Sequence, residues 1–235
     1  MRDISPSLLA DAVALACFLV CWIGYTRFAK KRSATEVCLA SVMHMYRVQW
    51  SRALLGRANR IADMSVIATF ERNMAFFGSS SLIIVAGLLT LLGNVDAAIA
   101  LFGTLPFATV QSTLQWEAKL ALLVVIFVYA FFKFSWAMRQ IGFAAILIGA
   151  APETQLEQVS EQEQRDTSER IARVVSMAGH HFNFGIRSYY FALAVLAWFI
   201  NPWIFVGATV LVVYVLYRRE FKSSVLRTLM SNESY

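Results

Sequence analysis

The amino-acid sequence predicts an all-α integral membrane helical bundle of about five spans, with helices extended into the cytoplasm and residues 1–235 forming one membrane domain. Three observations predict it. Hydrophobic residues make up 58% of the chain and charged residues 15%, against about 45–50% and about 25% in a soluble globular chain. The apolar residues come in long blocks, and a hydrocarbon core about 30 Å thick takes roughly 20 helical residues to cross. The charges are also sorted: residues 27–72 hold nine Lys/Arg against three acids, whereas 93–116 hold no Lys or Arg and the single acid Asp96. Basic loops stay inside, so the first segment belongs to the cytoplasm and the second outside.

The first span fits residues 7–28, with Ser5 as N-cap and Pro6 at the first helical position, where proline costs least. Its basic cluster, Arg27, Lys30, Lys31 and Arg32, follows the apolar stretch. That order describes a retained span with its N-terminus outside rather than a secretory signal. The second span is placed at 73–92 and the third at 118–137. The last apolar block, Tyr189–Tyr217, is interrupted by Asn201-Pro202, where proline removes a backbone donor and disfavours helix at the residue before it. It reads as one kinked helix or as a hairpin with arms at about 187–200 and 203–217. Charge favours the hairpin, since a single crossing would strand Arg218, Arg219, Lys222 and Arg227 outside.

Two further stretches, about 33–72 and 138–186, read as cytoplasmic helical segments. Ser33-Ala34-Thr35-Glu36 has capping-box spacing. On a helix from there, Leu39, Val42, Met43, Tyr46, Trp50, Ala53, Leu54 and Ile61 share one face, while His44, Ser51 and Arg52 face away. Asp63 is the expected cap of a long helix leading into the second span, and nothing breaks the third before Gly149. After Gly149-Ala150-Ala151 a second stretch begins at Pro152, runs through the acidic segment Glu153–Asp166 and restarts near Ser168. Outside, Ala97–Ala108 with Pro106 reads as a short re-entrant or interfacial piece.

Glu71, Arg72, Asn73, Lys133, Arg139, Asn183 and Arg187 all fall near the inner ends of the second, third and fourth spans. Ionisable residues at membrane depth are expensive and face a partner or a watery cavity. They form the candidate ligand or ion cluster, with Glu71 paired to Lys133 or Arg187. The bland alternative is snorkelling to the interface plus one structural salt bridge. Gly78, Ser79, Ser80 and Ser81 give the second span a small-residue face for helix packing or, alternatively, for a polar path. Cys17 and Cys21 share a helix face at a spacing open to a soft metal, yet no Met or His cluster supports them. His44, His180 and His181 are too scattered for a metal motif. No metal, cofactor or catalytic residue is therefore expected. The net charge of +6 does not mark a nucleic-acid binder, because the basic residues flank apolar spans.

Three stretches occur together: Glu71-Arg72-Asn73-Met74-Ala75-Phe76-Phe77 with Ser79–Ser81; Lys133-Phe134-Ser135-Trp136-Ala137-Met138-Arg139-Gln140 after Tyr129; and His180-His181-Phe182-Asn183 followed by Arg187-Ser188-Tyr189-Tyr190-Phe191. In this combination the chain resembles a bacterial and plant family of multi-span membrane proteins described as a domain of unknown function. The resemblance implies a multi-span protein and brings no activity with it.

The residues themselves point to a non-enzymatic protein of the bacterial inner membrane, N-terminus outside and C-terminus cytoplasmic. It would act by binding or assembly, as a homo-oligomer or an accessory subunit of a larger membrane complex. The alternative is a small-solute or ion transporter or channel using the inner-leaflet cluster. The bilayer, another membrane protein or second copy, and an anionic lipid are the expected partners.

Overall fold

The structure is a computed structural model that describes residues 6–33, 36–102, 112–152 and 159–231. Among them it is an all-α bundle: α1 (Pro6–Arg32), α2 (Leu39–Leu55), α3 (Ile61–Leu92), α4 (Val95–Phe102), α5 (Thr113–Gly149), α6 (Glu161–Trp198), α7 (Pro202–Phe221) and α8 (Ser224–Met230). Three of them are long and apolar enough to cross a membrane, over Leu8–Arg32, Ile61–Leu92 and Thr113–Gly149. At 1.5 Å per residue α5 and α6 each run about 56 Å, so they outreach a hydrocarbon core by more than 20 Å.

The centre of the bundle is α5, which packs on α3 at one side and on α6 at the other. The chain then turns back at Asn201, whose Oδ1 accepts the Trp203 N–H at 2.8 Å, and Pro202 opens α7. The antiparallel hairpin expected from charge is therefore the arrangement found. Helix α1 runs parallel to α7 and lies over its groove with α6: Phe18 stands 5.2 Å from the Phe205 ring and 5.7 Å from Phe191. Residues 30–32 and 218–219 consequently meet at one end of the bundle, here the basic end. At that end Ala137, Ile141, Ala144 and Ile148 of α5 face Ile171, Val175 and Ala178 of α6 and close a second core beneath α2. Their spacings of three and four residues are those of one helix face.

The closest approach is at Gly185 of α6. A Cβ there would lie 2.5 Å from the Phe134 ring of α5. Phe134 is fully buried and stacks on Phe77 at 5.5 Å, with Phe182 and Tyr189 completing the cluster.

Several local expectations are corrected. Ser33 and Glu36 do not cap α2. Ser33 Oγ donates back to Lys30 O, and Glu36 pairs with Arg32 at 2.6 Å, so both finish α1. Helix α2 starts one turn later, where Ser41 Oγ accepts the Cys38 N–H. It ends at Leu55, which leaves Ile61 exposed at the head of α3 and Ala53 on the open side. Ser51, expected outside, is fully buried because its hydroxyl is satisfied by Arg47 O one turn back. Asp63 is no cap: it is buried in the first turn of α3 and accepts from Trp50 Nε1 at 2.8 Å and from Arg57, tying α2 to α3. Helix α6 does not restart at Ser168 but runs unbroken from Glu161, with Ser160 as its N-cap. Ser168 returns its hydroxyl to Arg165 O within the continuous helix. Ser5, the segment 153–158 and the second half of the expected outer piece, 103–108, lie outside the described residues; its first half, 97–102, lies within α4.

Helix α5 carries no basic residue in its last turn. Arg60, from the turn before α3, supplies the missing cation, donating to Ile148 O, Ala151 O and Pro152 O at 2.8–2.9 Å. A cation there offsets the negative end of the helix dipole.

Gly185→Ala should lower stability by about 1–3 kcal/mol, the usual range for overpacking a tight core. Adding Phe134→Leu, which removes the ring, should recover part of the loss. Thermal unfolding in detergent checks this; an unchanged midpoint in Gly185→Ala would show that the helices are not in close contact.

Candidate functional site

At the basic end a cleft of about 230 Å³ opens between α2 and the α6–α7 hairpin. Its polar wall is made by Arg47 of α2, His180, Asn183 and Arg187 of α6, and Arg219 and Glu220 of α7. These positions follow from helix geometry. His180, Asn183 and Arg187 recur at three and four residues on one face of α6, turned away from the Phe134 contact. Arg219 and Glu220 follow the last apolar turn of α7.

The cations are held differently. Arg187 Nη2 donates to Glu220 Oε2 at 2.6 Å, and Tyr25 of α1 donates to the same oxygen at 3.0 Å, so three helices share one carboxylate. Arg219 Nη1 donates to Tyr190 Oη at 3.0 Å. Arg47 is in no ion pair within 4.0 Å among the described residues. Among the described residues its one hydrogen bond is a long 3.4 Å contact to Ser176 Oγ, and its buried Nε has no acceptor there. The guanidinium lies over Gly179, where a Cβ would meet Nη2 at 3.2 Å. Burial pulls Arg47 below the ordinary arginine value. Burial first, then the Arg47 and Arg187 guanidiniums, hold His180 below the usual imidazole range, while Glu220 opposes them.

The structure divides the cluster expected from sequence. Asn183 and Arg187 line the cleft. Lys133 does not pair with a carboxylate among the described residues but stands over Tyr129 and Phe184, at 5.1 and 5.6 Å. Arg187 stands over that same Phe184 ring at 5.5 Å. Glu71 and Arg139 border a separate, largely apolar groove with Phe132, Trp136 and Phe143. Arg72 bonds Thr69 on its own helix, and both it and Asn73 are exposed. The expected pairing of Glu71 with Lys133 or Arg187 is not made: Glu71 is exposed and in no ion pair within 4.0 Å among the described residues. The reason is helical phase. Glu71 faces outward on α3, while Arg187 turns towards α7 and is taken by Glu220.

Within the small-residue strip, Gly78 and Ser81 are buried and Ser79 is exposed. Ser80 bonds its own helix, while Ser81 Oγ lies 3.0 Å from Tyr189 Oη across the α3–α6 contact. Gly78 and Ser81 therefore pack helices together.

Sequence reasoning missed Arg47, His180, Arg219 and Glu220. The available signals were a lone arginine one turn beyond Met43 on the apolar stripe of α2 and a single acid amid the basic run after Tyr217. It also missed a buried polar group at the opposite end. Asp11 accepts from Trp198 Nε1 and Gln115 Nε2, both at 2.7 Å, and Lys119 Nζ lies 3.9 Å from Asp11 while donating to Trp198 O. Among the described residues no three His, Cys, Asp or Glu side chains gather as metal ligands.

This fold and this arrangement define a helical membrane-type bundle with a cationic cleft at its basic end. The chain belongs to the family described as Protein of unknown function, DUF599, whose model matches residues 13–225. No curated protein and no solved structure matches it.

Removing the Arg47 charge should relax His180. Arg47→Gln should raise the His180 pKa, because a positive neighbour is lost while the burial stays. Histidine NMR titration of the purified protein checks it; an unmoved titration would place Arg47 away from His180.

Proposed function

We propose that this is a non-enzymatic protein of the bacterial inner membrane that acts by binding, through the cleft between α2 and the α6–α7 hairpin. The observation that carries the reading is the cleft itself, where one arginine is neutralised by Glu220 and another, Arg47, has no counter-charge among the described residues. In the membrane reading α1, α3, α5 and both arms of the hairpin cross the bilayer, and the basic end faces the cytoplasm. Supporting it, Val20, Ile83, Val125, Phe132 and Leu211 are large, apolar and exposed on these helices, as side chains against lipid would be. The apolar arm of α6, Tyr189–Trp198, is short. Arg187 just before it can reach the headgroup level.

A transporter or channel is the rival. The polar groups at the two ends, Asp11–Lys119 and Arg187–Glu220, lie along the same α1–α6–α7 contact. Between them Phe18, Phe191, Val195 and Phe205 are completely buried and packed together. That apolar plug favours binding over passage. Assembly with a second copy or with another membrane protein fits the same reading, although the apolar face of α2 is used within the chain: Tyr46 donates to Leu229 O, and α2 packs on α6.

Purification in mild detergent, with mass spectrometry of everything that co-purifies, tests the proposal. A bound molecule or partner protein that is lost in Arg47→Gln is the expected result. Solute flux in liposomes with nothing retained at the cleft would favour the rival. Reporter fusions after Tyr235 should report a cytoplasmic C-terminus; an external one would replace the hairpin by a single crossing and leave four spans.

A further inference from the structure

We infer that the cleft binds a phosphate-bearing anion, with Arg47, Arg187 and Arg219 as its cationic walls. The inference deepens the binding reading above and rests on it. The charge sum comes first: three guanidiniums face one carboxylate, Glu220, which leaves two positive charges in the cleft before His180 is counted. Glu220 is already engaged by Arg187 and Tyr25, and among the described residues no other acid lines the cleft. The deficit therefore falls on Arg47 and Arg219. A half-buried guanidinium whose Nε lacks an acceptor is costly unless something supplies one. Its planar fork matches the oxygens of a phosphate group, which can accept two parallel N–H bonds.

Shape points the same way. Gly179 leaves the space in which the Arg47 guanidinium lies, and even a methyl group there would press on Nη2. Asn183 and His180 add further polar groups beside it, so an anion can be solvated without a second carboxylate competing for the cations. Apolar side chains of the same three helices, Leu39, Met43, Ile186 and Leu216, also line the cleft. Arg219 follows the apolar stretch of α7 within two residues of Tyr217, which places the cleft at headgroup depth in the membrane reading. A phospholipid headgroup, with its glycerol and first methylenes on the apolar side chains, uses both kinds of lining. A free phosphate would use the polar side chains alone.

The test uses the full chain in dodecyl maltoside, titrated with dioctanoyl phosphatidylglycerol, dioctanoyl phosphatidylcholine and inorganic phosphate, with adducts read by native mass spectrometry. Saturable one-to-one binding of phosphatidylglycerol over phosphatidylcholine identifies the lipid source. Saturable binding of inorganic phosphate that phosphatidylglycerol does not displace identifies a soluble source. In either case Arg47→Gln should weaken binding roughly tenfold or more, as loss of a charge-assisted bond implies. Gly179→Ala, which keeps every charge but displaces the guanidinium, should weaken it in the same direction. Arg52→Gln, the same change on the exposed side of α2, should leave it unchanged. If Gly179→Ala fails to fold by circular dichroism, Arg219→Gln serves in its place. The inference is overturned by no saturable binding of either probe, or by equal weakening by Arg52→Gln and Arg47→Gln. A co-purified carboxylate ligand in the cleft would also sink it while leaving the broader binding reading intact.

Discussion

The arrangement at the basic end depends on how closely α5 and α6 approach each other. Phe134 sits against the backbone of α6 because residue 185 has no side chain. That contact gathers Phe77, Phe182 and Tyr189 around one ring and fixes the rotation of α6 about its axis. With that rotation set, His180, Asn183 and Arg187 can only turn towards α2 and α7. Gly179, six residues earlier and about 120° round the helix, offers a second notch, and Arg47 of α2 fills it. One helix thus receives an aromatic ring on one side and a guanidinium on another, each at a glycine. The cationic cleft follows from packing as much as from charge.

Charge balance then separates the two ends of the bundle. At the far end Asp11 has neutral donors from Trp198 and Gln115 and a lysine nearby, so the acid and the base are both answered inside the fold. At the basic end Arg187 has its carboxylate and Arg47 has none among the described residues. Fixed charge left unmatched beside a cavity is how a ligand site differs from a structural salt bridge, since the missing counter-charge has to come from elsewhere. The fully buried aromatic block between the ends keeps the two groups electrically and sterically apart. This favours a site that binds over a route that conducts.

The coarse fold was legible in the sequence because hydrophobic block length and the placement of basic residues are one-dimensional signals. The hairpin at Asn201-Pro202 and the uninterrupted run of α5 to Gly149 came from these alone. Helix starts were less legible. Ser33 and Glu36 have the spacing of a cap, yet Arg32 and Lys30 offered nearer partners, and a spacing rule does not see that competition. The site was legible only in part. Depth could be read from position along a span, so Asn183 and Arg187 were found. Helical phase between different helices could not, so Glu71 is expected beside Lys133 or Arg187, whereas the chain brings Glu220 to Arg187. Arg47 is hidden because nothing near it in the sequence marks its surroundings: its glycine partner, Gly179, lies more than a hundred residues away.

The central claim is that Arg47 lies in the Gly179 notch and faces an anion which the chain itself does not provide. The most direct measurement is an experimental structure of the full chain in nanodiscs made from its native lipids. The account predicts α2 docked on α6, the Arg47 guanidinium over Gly179, and non-protein density within hydrogen-bond reach of it in the cleft. An Arg47 turned out to solvent, or paired with a carboxylate of the same chain and no density beside it, would contradict the account.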